Sequence, residues 1–273
     1  MAIITISRQL AALGDETATE LAKLLGYRFV DKLKLEERIK SFGIVGTKLE
    51  KYDERKPSFF ASLSQDRDDY LHFLKTAMLA EASEGSCVFI GRGAAAVFKN
   101  IPGVLSVFLV APTEIRYERV KSYFHCDEKR ARQIIEQSDH DRFGFHRYFF
   151  DIDWREGSNY HLTLNMGNLH PALAAKIIKD LRDHIISQET EAQNEARLKE
   201  MILGQQAIHH ILYERELAIH FLEAAVSGGE LTLFGVASSQ VLIENALNAA
   251  REVPGISVVR SDIQVVQEFN IVP

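Results

Sequence analysis

The sequence predicts an α/β fold over residues 1–186, in which a parallel sheet is flanked by helices, followed by a small C-terminal α+β domain. Short apolar runs alternate with longer segments of helical periodicity, the chain opens with a strand, a loop and a helix, and the composition becomes polar and acidic after Ile186. We therefore expect domains at residues 1–186 and 229–273, joined by a helical connector over residues 187–228. The first helix of the second domain can begin near residue 198.

The first predicted strand covers residues 2–6, and a polar loop leads from it into a helix over residues 17–25 that Gly26 ends. A strand at residues 27–30 follows, and Asp31 after it can cap a helix over residues 33–41. The later elements alternate in the same way. They are a helix at 63–84, a strand at 87–90, a strand at 104–110, a helix from Thr113, a polar helix at 127–137, a strand at 162–165 and a helix at 171–186.

The C-terminal part begins with a predicted helix over residues 198–226, whose apolar residues have helical spacing and which Gly228-Gly229 would end. An alternating strand at residues 230–236 and a capped helix to about residue 252 come next. Two short strands, at 256–259 and 262–266, complete a small α+β unit.

Composition narrows the function classes. The chain has 273 residues, of which 46% are hydrophobic, and its formal net charge of −6 gives no sign of a nucleic-acid-binding surface, so we expect no nucleic-acid partner. Cys87 and Cys126 cannot form a metal cluster by themselves, and the histidines lack zinc-site spacing, so we expect no bound metal in the protein itself. Without a signal peptide or an apolar run of about 20 residues, we expect a cytoplasmic protein without membrane contact.

The opening strand, loop and helix form the arrangement in which kinases hold nucleotide phosphates, with loop glycines and a lysine. The Walker pattern G-x-x-x-x-G-K-[ST] is degenerate here, because Gly14 is the one glycine of the loop and Asp15 follows it where the lysine would stand. We expect Ser7, Arg8, Gly14 and Thr17 to form the remaining phosphate loop.

Six motifs support a family resemblance: I-T-I-S-R-Q, Y-R-F-V-D-K, C-V-F-I-G-R-G-A, V-F-L-V-A-P with R-Y-E-R behind it, S-D-H-D-R-F and N-Y-H-L-T-L-N, in this order. On these motifs residues 1–186 resemble the cytidylate kinase-like family of nucleoside monophosphate kinases, which implies a P-loop kinase fold. Members usually read S-R-Q-[YF]-G-S-G-G where this chain has S-R-Q-L-A-A-L-G over residues 7–14. The departure therefore affects ATP binding and spares the fold.

Three residues are candidates for substrate binding. Arg92, between two glycines at the end of a strand, can bind a phosphate in bidentate fashion, or it is a surface arginine after a tight turn. Asp31 can bind the sugar or base of a monophosphate by analogy with the family, or it only caps the next helix. Arg116 lies three residues before Arg119 on one helix, so both can line a cleft, or both belong to an exposed ion-paired face.

The candidate catalytic residues are Arg119, Asp139 and Arg142. Arg119 would stabilise charge on the transferred phosphoryl group, and Arg142 matches a family position that approaches the donor nucleotide. Solvated charge on a mobile lid helix is the alternative for Arg142.

The C-terminal unit resembles a BON domain, on the motifs L-F-G-V at residues 233–236 and V-P-G-I at residues 253–256. Domains of this kind are associated with membrane or partner binding. Beside a cytoplasmic kinase-like domain, the resemblance implies a sensing or protein-interaction role, and it leaves a protein partner and self-association open.

Three hypotheses follow. The first is a pseudokinase or sensor that binds a nucleotide or another phosphorylated metabolite without turnover, which the altered loop favours. The second is an active kinase that transfers the γ-phosphate of ATP to CMP or a related monophosphate with Mg²⁺, Arg8 replacing the lysine. The third is a scaffold that uses the kinase fold without a ligand.

Overall fold

A computed structural model of the chain describes residues 1–42 and 65–266. The chain divides into two compact units, Met1–Glu195 and Ala196–Pro273. The first two residues of the predicted helix at 63–84 and the last seven of the predicted C-terminal domain lie outside the described residues. None of the described helices has both the length and the apolar character needed to cross a membrane.

The first unit is built on a five-stranded sheet in the order β2-β3-β1-β4-β5, and every neighbouring pair is parallel. Its strands are β1 (Ile3–Arg8), β2 (Arg28–Val30), β3 (Cys87–Ile90), β4 (Val104–Val110) and β5 (Leu162–Asn165). The three central strands are almost entirely buried because their residues are apolar on both faces. The predicted parallel sheet flanked by helices is confirmed.

The helices of this unit bury one apolar face each against the sheet or against one another. They are α1 (Gly14–Leu25), α2 (Lys32–Ser41), α3 (Gln65–Ser83), the short α4 (Ala94–Val97), α5 (Thr113–Phe124), α6 (Glu128–Phe150) and α7 (Pro171–Ile185). Leu21 of α1 and Ile178 of α7 pack in the same core as the strand residues. The helix predicted at 127–137 continues to Phe150, since the buried aromatic residues Phe145 and Phe149 anchor its second half.

Parallel strands place all their carboxyl ends at one edge of the sheet. The phosphate loop follows β1, Asp31 follows β2 and Arg92 follows β3 after one residue. Ligands of open α/β sheets bind at this edge, so the fold gathers most of the predicted site residues in the expected place.

The second unit contains a three-stranded sheet in the order β6-β7-β8, with β6 and β7 antiparallel and β7 and β8 parallel. The elements from residue 188 onward are α8 (Gln188–His209), a π-helical turn (His210–Glu214), β6 (His220–Ser227), β7 (Glu230–Ala237), α9 (Gln240–Arg251) and β8 (Val258–Val265). Apolar residues of α9, such as Ile243 and Ala246, form one core with Leu231 and Leu233 of β7.

The predicted helix over residues 198–226 is wrong beyond residue 214, so the segment predicted as a helical connector is not helical throughout. Residues 220–227 form β6, because Gly228 and Gly229, with φ of 57° and 82°, make a two-residue hairpin turn into β7. Strand pairing outweighs the helical spacing of the apolar residues. The two short strands predicted at 256–259 and 262–266 form the single strand β8.

Candidate functional site

The loop between β1 and α1 has left-handed backbone at two residues that are not glycine. Ala11 has φ of 63° and Leu13 has φ of 54°. An L-residue in this conformation costs about 1–2 kcal/mol. These two positions carry glycine in the S-R-Q-[YF]-G-S-G-G motif, so the loop keeps the backbone course that glycine favours after the glycines have been replaced.

The Arg8 side chain packs so closely on Gly14 that a larger residue would not fit at position 14. A Cβ atom at Gly14 would lie 2.4 Å from the Cγ atom of Arg8, so the aliphatic part of that arginine occupies the space. The Arg8 Nε atom is 3.9 Å from a carboxylate oxygen of Asp15, whose side chain is 68% exposed. At the position of the Walker lysine the chain therefore presents a carboxylate paired with an arginine.

Ser7 and Thr17 flank the loop, Ser7 in β1 and Thr17 in the first turn of α1. The Thr17 hydroxyl donates to the Leu13 carbonyl oxygen at 2.6 Å, and Thr17 is completely buried. Ser7 is buried near the end of β1. Burial raises the pKa of Tyr160 to about 12, so its phenol stays protonated and donates to the Trp154 carbonyl oxygen at 2.7 Å. Both predicted hydroxyl residues are thus buried beside the loop.

Arg116 of α5 is buried beneath the loop. Its Nε atom donates to the Leu10 carbonyl oxygen at 2.9 Å, and its two terminal nitrogens donate to the two carboxylate oxygens of Asp139 at 2.9 and 2.8 Å. This bidentate pair joins α5 to α6 and is one of the stronger polar contacts a protein can make. Arg116 and Asp139, predicted in different roles, are therefore partners of one another.

Arg119 is the second arginine of α5 and contacts the next residue of the loop. One terminal nitrogen donates to the Ala11 carbonyl oxygen at 3.0 Å and the other to the Met166 carbonyl oxygen at 2.8 Å. Arg116 and Arg119 therefore both lie against the loop backbone, and their predicted roles in binding and catalysis stay predictions.

The loop keeps backbone donors for an anion. In a trans peptide the N–H points away from the carbonyl, so the Ala11 N–H points away from the Arg116 side chain that binds the Leu10 carbonyl. Within residues 1–42 and 65–266, the backbone N–H groups of Ala11, Leu13 and Gly14 have no protein acceptor. Unpaired N–H groups ahead of a helix are suited to phosphate.

The turn after β3 has three consecutive left-handed residues: Gly91 at 71°, Arg92 at 54° and Gly93 at 75°. Arg92 is 3% exposed, and a terminal nitrogen donates to Glu36 of α2 at 3.1 Å. Lys32 Nζ lies 3.7 Å from the same carboxylate oxygen of Glu36. Two cations and one carboxylate therefore meet between β3 and α2.

Asp31 caps α2, as its carboxylate accepts the Lys34 N–H at 2.9 Å. This is the alternative that the sequence left open beside sugar or base binding. Arg142 on α6 donates to the Ser138 hydroxyl at 2.5 Å. Its neighbour Asp139 faces Arg116, so the two candidates from one motif have different surroundings.

A cavity of about 970 Å³ is lined by Lys32 of α2 and by α6 residues between Arg130 and Arg142. Its volume lies within the range of about 300–1,000 Å³ typical of small-ligand sites. Neither Lys32 nor Arg130 is among the candidate site residues of the sequence analysis, although both line this cavity. The signal for Lys32 was its spacing of four residues from Glu36 at the start of the helix after β2.

Comparison with models of known protein families shows the family of this chain. The sequence model of the cytidylate kinase-like family matches residues 3–168. The chain belongs to the cytidylate kinase-like family. A second model, that of the BON domain, matches residues 202–267, so this family member carries a C-terminal BON domain that includes β6.

Solved structures include several that are similar to this cytidylate kinase-like protein over about two thirds of its length. A crystal structure of an uncharacterized protein from Eubacterium ventriosum ATCC 27560 has 20% identity and a TM-score of 0.52, covering 67% of this chain and 99% of that chain. Shikimate kinase from Bacteroides thetaiotaomicron has 18% identity and a TM-score of 0.39, covering 67% and 97%. Shikimate kinase from Acinetobacter baumannii, in complex with shikimate, has 17% identity and a TM-score of 0.39, covering 68% and 96%. No curated protein matches the chain.

An active cytidylate kinase-like enzyme would use ATP with Mg²⁺, which needs oxygen ligands near the loop. Glu16 stands at the Ser/Thr position of the Walker pattern and is exposed, while the Thr17 hydroxyl is buried and bound to Leu13. Both oxygens of Asp139 are held by Arg116. No group of three His, Cys, Asp or Glu side chains among the described residues could hold a metal ion. The Thr17 hydroxyl and the Asp139 carboxylate are therefore engaged by the protein, and the exposed carboxylates beside the loop that could contact a nucleotide-bound magnesium ion are those of Asp15 and Glu16.

Proposed function

We propose that this cytidylate kinase-like protein binds a nucleotide or another phosphorylated metabolite without transferring a phosphoryl group, and that its BON domain passes the bound state to a protein partner. Family membership and fold support a nucleotide-binding, kinase-like protein. The observation that carries the finer proposal is the Arg8–Asp15 pair at the place of the Walker lysine.

Charge distribution favours a monophosphate over a triphosphate. Two like charges 4 Å apart repel by about 1 kcal/mol in water and about 4 kcal/mol near a protein surface, so Asp15 disfavours phosphates placed along the loop. A single phosphate beside Lys32 would lie next to the Arg92–Glu36 pair after β3 and in the cavity that Arg130 and Arg142 of α6 also line. We therefore expect CMP or a similar monophosphate to bind better than ATP.

One observation favours the alternative of an active kinase. The loop retains the left-handed backbone at Ala11 and Leu13 and the unpaired N–H groups that a triphosphate requires. Arg8, next to Asp15, would then have to supply the positive charge of the lysine. This alternative predicts measurable turnover.

The function is tested by calorimetric titration of the full chain with CMP, and with ATP plus Mg²⁺, followed by a coupled assay for ADP formation. We expect CMP to bind and no ADP to form above the rate without protein. ADP formation that depends on CMP would establish an active kinase. Absence of binding by both ligands would support the scaffold hypothesis.

A further inference from the structure

Two arginines of α5 bind two consecutive carbonyl groups of the phosphate loop. Arg116 binds Leu10 at 2.9 Å and Arg119 binds Ala11 at 3.0 Å. Ala11 is also one of the two loop residues with left-handed backbone, at φ of 63°. A charged donor is therefore bonded to the strained residue itself.

Each arginine is fixed at its far side as well. Arg116 is held by Asp139 through two bonds, and Arg119 by the Met166 carbonyl oxygen at 2.8 Å. An arginine guanidinium is planar and rigid, so a partner bound at one edge determines the direction in which the N–H groups of the other edge donate. The loop carbonyls therefore meet donors whose positions are set by α6 and by the residue after β5.

We propose that Arg116 and Arg119 are positioning residues that hold the loop in the left-handed course which glycines would otherwise provide. A left-handed alanine is unfavourable by itself and persists only where its surroundings hold it. The charged hydrogen bond from Arg119 to the Ala11 carbonyl is the contact that does so. Neither arginine needs to touch a ligand for this role.

The restraint of the loop by Arg116 and Arg119 does not depend on the proposed function. Its purpose, which is to present the loop N–H groups to an anion, rests on the proposed function. If the restraint is real, Arg119 matters most when residue 11 is alanine. With glycine at position 11, the left-handed conformation carries no steric cost, and the loop needs the arginine less.

A double-mutant cycle measures this dependence. Thermal unfolding of the full chain is followed by the fluorescence of Trp154, the one tryptophan of the sequence, which is buried in the same unit as the loop. We expect Arg119→Met to lower the Tm by about 4 °C or more in the natural chain, and by less than half as much in the Ala11→Gly background. The bond to Met166 is lost in both backgrounds and cancels.

Two controls belong to the same helix. His125, the C-cap residue of α5, has φ of 50°. His125→Gly therefore relieves strain at a left-handed residue that Arg119 does not contact. We expect its effect on the Tm to add to that of Arg119→Met. Lys121→Met removes a cation that pairs with Glu118 and should not depend on residue 11. Arg119→Lys, which retains one donor, replaces Arg119→Met if the latter does not fold, and we expect it to show a weaker dependence of the same sign.

Equal Tm losses from Arg119→Met with alanine and with glycine at position 11 would overturn the proposal. The cycle contains no ligand. A clear dependence together with no binding of CMP would therefore leave the restraint standing and remove only the proposed function.

Discussion

The loop after β1 and the turn after β3 lie at the ends of neighbouring strands and use the same backbone conformation by different means. In the β3 turn, two of the three left-handed residues, Gly91 and Gly93, accept positive φ without strain, and Arg92 between them has φ of 54°. In the β1 loop, Ala11 and Leu13 have the same sign of φ; the Ala11 carbonyl accepts from Arg119 of α5, and the Leu13 carbonyl accepts from the Thr17 hydroxyl of α1. The comparison shows that the same left-handed backbone occurs with glycine in one region and with alanine and leucine in the other, which is the difference that the proposed restraint by Arg116 and Arg119 explains.

The two regions also differ in charge. The β3 turn brings Arg92 against Glu36, beside Lys32. The β1 loop has Asp15 paired with Arg8. Under the proposed function, this difference leads us to expect that a monophosphate binds at the end of β3 more readily than a triphosphate binds along the β1 loop.

The largest expected loss of stability comes from a substitution in the β3 turn. A Cβ atom at Gly93 would lie 2.2 Å from the Phe150 ring, at φ of 75°. We expect Gly93→Ala to lower the free energy of unfolding by about 2–5 kcal/mol, the sum of left-handed strain and overpacking. Urea unfolding followed by Trp154 fluorescence measures it.

Gly26 provides the matched control for Gly93. It has φ of 66°, and nothing lies within 4 Å of an added Cβ. Gly26→Ala should therefore cost only the backbone strain, about 1–2 kcal/mol. Equal losses for the two variants would show that the packing of Phe150 on the β3 turn is unimportant.

A smaller effect is expected at Arg92, where two variants distinguish a role in ligand binding from a purely structural role. We expect Arg92→Met to weaken CMP binding by about tenfold or more, equivalent to about 1.4 kcal/mol, because it removes the cation nearest to the end of β3. Glu36→Gln breaks the same ion pair but keeps the arginine. We expect Glu36→Gln to leave CMP binding unchanged or tighter in calorimetry. Equal weakening by both variants would assign Arg92 a purely structural role.

The sequence predicted the first unit well, because apolar strands and glycine-ended helices carry local signals. It could not show that Arg116 and Arg119 bind loop carbonyls, since charged residues on a helix look the same whether they face a ligand, solvent or backbone. The left-handed conformation of Ala11 and Leu13 was also invisible, because glycine is the usual signal for it. The strand at residues 220–227 was missed because its pairing with β7 is a tertiary contact.

The role of Asp31 illustrates a limit of another kind. Its position after a strand fitted both a helix cap and a ligand contact, and the structure shows the cap. The catalytic roles predicted for Arg119, Asp139 and Arg142 stay predictions. Their contacts with Ala11, Arg116 and Ser138 describe where they lie without a ligand.

The central claim is that the β1 loop has kept the backbone of a kinase loop and lost its side-chain chemistry. The most direct measurement is calorimetric titration of the natural chain and of the combined variant Ala11→Gly, Leu13→Gly, Asp15→Lys with ATP and Mg²⁺. We predict at least tenfold tighter ATP binding by the variant, because the lysine replaces a repulsive carboxylate on an unchanged backbone. Equal affinity of the two chains for ATP would contradict the claim.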